Sequence, residues 1–126
     1  MYYFPPVFEI SMIGIADAGV PNRERIVLRP TESINLAKFG ILLGLKNPDG
    51  SAVPLIDQFF WFGELNIAPP CWLIVYTGPG EFQQSQLQDS GQIAYSLHWG
   101  KPTTLFNDPN IIPILFSIDY LSTGRR

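Results

Sequence analysis

The sequence predicts an all-β chain folded as an antiparallel sandwich of about seven to nine short strands, and three observations lead there. Twelve prolines and eleven glycines are spread along all 126 residues, which leaves no room for long helices. Apolar residues recur with a period of two in segment after segment, and turn signals return about every 8 to 15 residues. With 46% hydrophobic and 15% charged residues, the chain is too apolar to remain disordered and must bury a core. An α/β fold would need helical crossovers, which the prolines exclude. The length fits a single domain over 1–126, with 8–121 as its core and 122–126 as a frayed tail.

The elements follow in order. Phe8, Ile10 and Met12 alternate with Glu9 and Ser11, and the phase shift at Ile13 and Ile15 predicts a bulge or strand end near Gly14. In Arg23 to Pro30, Ile26 and Leu28 share one face, while Arg23, Arg25 and Arg29 share the other with Val27. Phe39, Ile41, Leu43 and Leu45 alternate up to Asn47-Pro48-Asp49-Gly50, the clearest hairpin signal in the chain. Ala52 to Ile56 then reads as a short return strand and Phe59 to Gly63 as a second, strongly apolar one. Cys71 to Thr77 is apolar on both faces and reads as a central, doubly covered strand ended by Gly78-Pro79-Gly80. Residues 81–92, with five glutamines, read as a mobile loop with at most a helical turn. Ile93, Tyr95, Leu97 and Trp99 alternate again, and Ile111 to Tyr120 closes the fold with Pro113 at an edge or bulge. Ile26, Leu28, Phe39, Ile41, Leu43, Leu73, Val75, Tyr95, Leu97 and Trp99 are the expected core.

Three stretches also carry a resemblance. Glu24 opens an alternating strand that leads to Leu36 and Phe39; Leu65 to Gly80 contains Tyr76-Thr77-Gly78-Pro79-Gly80; and Tyr95-Ser96-Leu97-His98-Trp99-Gly100 is followed by Leu105-Phe106-Asn107-Asp108. Together they resemble the lamin-tail domain, an immunoglobulin-like sandwich. Pro70 stands where that family usually has Gly, Phe106 where it usually has Trp, and Pro109-Asn110 where Gly-Asp usually follows. The resemblance implies an immunoglobulin-like fold and a binding or tethering role, and it carries no chemically specific motif. Bacterial members are often attached to secreted hydrolases, for which no partner domain or export signal is visible here.

Charge and composition narrow the functions. The net charge is −3 and the eight Lys and Arg residues form no cluster, so generic nucleic-acid binding, which rests on gathered cations, is not expected. No run of about 18 apolar residues is uninterrupted, so no membrane span is expected. The N-terminus lacks the basic and apolar regions of a signal peptide, and the expected compartment is the cytoplasm by default.

The chemistry-bearing residues are sparse. His98 is the only histidine and Cys71 the only cysteine, too few for a zinc site, so neither metal nor cofactor is expected. Cys71, within an apolar run, reads as a small buried hydrophobe. Asp57 and Glu64 bracket the aromatic strand and are the first carboxylates to inspect for an acid/base pair, although solvated turn residues are the plainer reading. Gly78-Pro79-Gly80 lacks the spacing of a phosphate loop.

Two candidate surfaces remain. Arg23, Arg25 and Arg29 form a cationic strand face for an anion or acidic partner, unless they are an ordinary wet face. Phe59, Phe60, Trp61 and Phe62 pose a packing problem, because successive side chains of a strand point to opposite faces and one pair is left outside the core. Its cover is either the N-terminal Tyr2, Tyr3 and Phe4 or another protein surface, most simply a two-fold homodimer. The expected function is therefore a non-catalytic interaction module binding a protein partner or itself. The alternatives are a small hydrolase or lyase using carboxylates such as Asp57 with His98, and nucleic-acid binding through the arginine face.

Overall fold

The computed structural model describes residues 5–126; Tyr2, Tyr3 and Phe4, one expected cover of the aromatic strand, lie outside the described residues. The strands among the described residues are β1 (Ile10–Ala16), β2 (Arg25–Pro30), β3 (Ile34–Asn35), β4 (Phe39–Lys46), β5 (Ala52–Trp61), β6 (Asn66–Ile67), β7 (Cys71–Tyr76), β8 (Gln83–Gln86), β9 (Ile93–His98) and β10 (Ile111–Ser117), of which β3, β6 and β8 were not expected. The only helical segment among the described residues is a 3₁₀ turn at Leu36–Lys38, capped by the Asn35 side chain, whose oxygen accepts from the Ala37 N–H. Among the described residues no helix is long and apolar enough to cross a membrane.

The fold is an all-β sandwich. A five-stranded sheet in the order β1-β2-β7-β9-β8 faces a three-stranded sheet in the order β10-β4-β5, and β3 pairs with β6 as a small two-stranded sheet. Leu28, Leu73 and Tyr95 stand in one row of the larger sheet and Ile26, Val75 and Leu97 in the next. They meet Phe39, Ile41 and Leu43 of β4 in a single apolar cluster. Nine of the ten expected core residues are buried there; Trp99 is half-buried at the cluster's margin. Ile10, Leu36, Phe62, Ile67, Cys71 and Phe106 complete it.

Several local expectations are corrected. The sheets are not wholly antiparallel, because β7 and β9 run parallel: β8 doubles back and β9 returns between β7 and β8. Of the two outcomes expected near Gly14 the bulge is the one that forms, between Met12 and Gly14, and β1 pairs on to Ala16 rather than ending there. The segments at 52–56 and 59–63 are one strand interrupted by a bulge, where Asp57 adopts φ 61. Residues 83–86, read as loop, form the edge strand β8; all four side chains are exposed, so no apolar face marks the strand in the sequence. β7 is central as expected, but among the described residues no second layer covers its outer face, where Trp72, Ile74 and Tyr76 are half-buried.

Candidate interaction site

The register of the three-stranded sheet decides which aromatics are available. Ile41 of β4 is buried and Phe60 stands beside it, so Phe60 points inward, stacked on Trp99 at 5.6 Å and tilted against Phe62 at 6.0 Å. Phe62 is buried. Phe59 and Trp61 therefore point outward, and they are 52% and 49% exposed. Of the four aromatics predicted as a partner surface, two belong to the core and two to the surface.

Neighbouring strands extend that surface in three rows: Phe116, Gly40 and Trp61; Ile114, Leu42 and Phe59; Ile112, Gly44 and Pro54. Phe59 stacks on Phe116 at 5.3 Å. The one polar group in these rows is the Trp61 indole, whose N–H donates to the Ala37 carbonyl at 2.8 Å and fixes the ring. The glycines make the face flat. A Cβ on Gly40 would stand 2.5 Å from Phe116 Cζ and from the Phe60 carbonyl, and one on Gly44 would collide with Ile114. Both β10 side chains lean into the room the glycines leave. Since an aromatic presents roughly 150 to 250 Å², the half-exposed pair and their neighbours give an apolar patch on the order of 400 Å².

Sequence reasoning found the β5 half of this face and missed the β10 half. The signal was present: Ile111 to Phe116 is apolar on both parities, the same property that marked β7 as covered twice.

The outer face of the five-stranded sheet is finished differently. Arg25 donates from Nη1 to Asp17 Oδ2 at 2.7 Å and to the Arg23 carbonyl at 2.8 Å. Arg23 also reaches Asp17, at 3.5 Å. The Arg25 hydrogen bond first, and the nearby Arg23 charge with it, hold the Asp17 carboxyl below its ordinary value. Arg29 lies apart, its guanidinium 4.0 Å above the Trp72 ring and donating to Gln92 Oε1 at 2.9 Å. Arg25 and Arg29 point outward from β2 while Arg23 lies in the turn before it, and the three do not converge on a common point: two share one carboxylate and the third covers an aromatic.

His98 stands on that same outer face, stacked on Tyr76 at 5.1 Å, with Gly80 packed against its ring. Asp57 is on the opposite sheet and Glu64 is exposed beyond β5, so the histidine and the suspected carboxylates do not meet. Cys71 is buried, and burial pushes its thiol up against the weaker opposing pull of Arg29. Among the described residues no group of three or more His, Cys, Asp or Glu side chains is placed to hold a metal ion. Two open recesses, of about 620 and 370 Å³, contain Tyr95 and Lys101 respectively as their sole titratable side chains.

One polar site lay hidden in the sequence. Glu24 is 1% exposed and its carboxylate accepts four hydrogen bonds: from the Gly19 N–H at 2.7 Å, Thr77 Oγ1 at 2.8 Å, the Leu105 N–H at 2.6 Å and the Phe106 N–H at 3.0 Å. Burial pushes this carboxyl up, yet the donors together outweigh it and hold the group below its ordinary value. With four donors on its two oxygens, Glu24 serves as a clamp joining the turn before β2, the end of β7 and the 101–110 segment. Comparison with family models, curated proteins and solved structures finds no match to this chain.

Proposed function

We propose that the chain is a non-catalytic, immunoglobulin-like interaction module that binds a protein partner through the outer face of β10-β4-β5. The observation that carries this reading is the flat, uncharged surface around Phe59 and Trp61, half-open to solvent on a strand whose other face fills the core. A patch on the order of 400 Å² a side falls short of a standard permanent interface, which suits a reversible partner with a complementary apolar surface. The lamin-tail resemblance is part of the proposal. What supports it is that its three quoted stretches meet at one point, the Glu24 carboxylate, through Thr77 and the Leu105-Phe106 amides. A cytoplasmic setting is part of the reading too, with which the unpaired, buried Cys71 is compatible.

The hydrolase reading draws no support from the separation of His98 and Asp57 on opposite sheets. Nor does the nucleic-acid reading draw any from arginines already engaged by Asp17, Trp72 and Gln92. The test is capture of partners from the source cell by the wild type and by a Phe59→Ser/Trp61→Ser variant of equal thermal stability. A partner held by the first and released by the second is expected. Identical capture by both would refute the assignment of this face.

A further inference from the structure

Open sheet edges are templates for strand addition, and folded chains usually blunt them with prolines, bulges or charges. The two main sheets have four such edges, and the hydrogen-bond phase shows how each is treated.

At β10, Lys46 N–H donates to the Asn110 carbonyl and Ile118 N–H to the Lys38 carbonyl. Even-numbered residues therefore bond to β4, while Ile111, Pro113, Leu115 and Ser117 turn their backbone groups outward. Pro113 removes a donor from the middle of that open row. At β5, Asn47 N–H to Ser51 O and Phe62 N–H to Phe39 O set the phase, which places Pro54 on the outward side in the same way. The bulge around Asp57 interrupts the rest of that edge. At β1 the bulge between Met12 and Gly14 breaks the row.

β8 has none of these devices. Leu87 N–H donates to the Gln92 carbonyl, so Gln83 and Ser85 bond to β9 while Gln84 and Gln86 face outward. Gln83–Gln86 carries no charge and no proline, its register with β9 is unbroken, and every side chain from Glu81 to Ser90 is exposed.

We propose that this edge pairs antiparallel with β8 of a second copy of the chain, joining two five-stranded sheets into one across a two-fold axis. The surface is distinct from the Phe59/Trp61 face, so the two assignments stand or fall separately. A second copy is favoured over a foreign strand by the side chains themselves. Gln-Gln-Ser-Gln offers no pocket with which to select another sequence. Each Gln amide both donates and accepts, so the segment is complementary to itself. Centring the axis on Gln84 sets Gln84 against Gln84 and Phe82 against Gln86 of the second copy, with about six new backbone hydrogen bonds. Glu81 then lies opposite Leu87 of the second copy rather than opposite Asp89, so no acid faces an acid.

The experiment is sedimentation equilibrium of the full chain at about 5 and about 500 μM, with amide exchange read at both concentrations. The expected result is a concentration-dependent dimer in which the Gln84 and Gln86 amides exchange at least about tenfold more slowly at the higher concentration. Gln84→Pro deletes only an outward N–H, as Pro113 and Pro54 do, and should give a folded monomer. Gln84→Lys, which sets two ammonium groups face to face, should do the same and decides the matter should the proline variant fail to fold. A wild type that stays monomeric at the higher concentration overturns the proposal. So does a dimer that survives both substitutions, or one abolished only by Trp61→Ser.

Discussion

Trp72, on the outer face of the five-stranded sheet, lies beneath the Arg29 guanidinium, whereas Trp61, on the outer face of the three-stranded sheet, is half-open to solvent with only its indole N–H engaged. The same contrast holds along both faces. Around Trp72 the outward positions carry Arg25 neutralised by Asp17, Ser96, His98 on Tyr76, and Gln83 of β8. Around Trp61 they carry Phe59, Leu42, Ile114 and Phe116, flattened over two glycines. Long polar side chains can screen apolar surface and keep a face wet, and the first sheet uses them. The second sheet does not, although both of its edges are blunted by Pro54 and Pro113 against strand addition. Its edges are closed and its face is left bare, the combination expected of a surface that docks face-on.

The largest effect that sharpens this contrast lies within one strand. Phe60→Ser empties a core position and should cost about 3 kcal/mol or more in urea unfolding, whereas Phe59→Ser should cost about 1 kcal/mol or less because half of that ring is already in water. Equal losses would mean that Phe59 is covered as fully as Phe60.

Next in size is the clamp at the end of the dressed sheet. Glu24→Gln leaves backbone donors facing an amide and should cost about 3 kcal/mol, measured by thermal or urea unfolding. Because the folded carboxyl is held below its ordinary value of 4.5, it stabilises the fold above that pH, and this contribution is lost as pH falls through the lower, folded-state value. The variant should lack that part of the acid dependence. Amide exchange in acid should loosen residues 101–107 before β4, which shares no bond with Glu24.

Gly40→Ala should cost about 1 to 3 kcal/mol, since its methyl meets both the Phe116 ring and the Phe60 carbonyl, and a crystal structure of the variant would show Phe116 displaced from the flat face. The smallest effect is expected from Arg29→Ala. Loss of the cation over Trp72 should cost about 1 kcal/mol while leaving partner capture through the opposite face unchanged.

Most of the fold was legible because burial writes itself into period-two patterns, as at Ile26/Leu28, Phe39/Ile41/Leu43 and Tyr95/Leu97. Where a strand buries neither face, the pattern vanishes, and Gln83–Gln86 read as loop for that reason. The parallel pairing of β7 with β9 was illegible for another: alternation reports which face a residue takes, not which strand lies beside it. The candidate face was half legible. Phe59 to Phe62 declared a conflict of parity, but only the β4 register shows that Phe59 and Trp61 lose it and that Ile114 and Phe116 join them. Glu24 was quoted as the start of a strand; its burial depends on amides 81 and 82 residues away, which no local pattern records.

The central claim, that the bare face is where a partner docks, is tested most directly by placing a photo-crosslinking side chain at Phe59 in one protein and at Ser96 in another, then irradiating each in the source cell. Both side chains point outward, Phe59 from the edge strand β5 and Ser96 from β9 within the opposite sheet. A discrete crosslinked product from position 59, and none from position 96, is the predicted result. Equal crosslinking from both positions, or a product from position 96 alone, would contradict it.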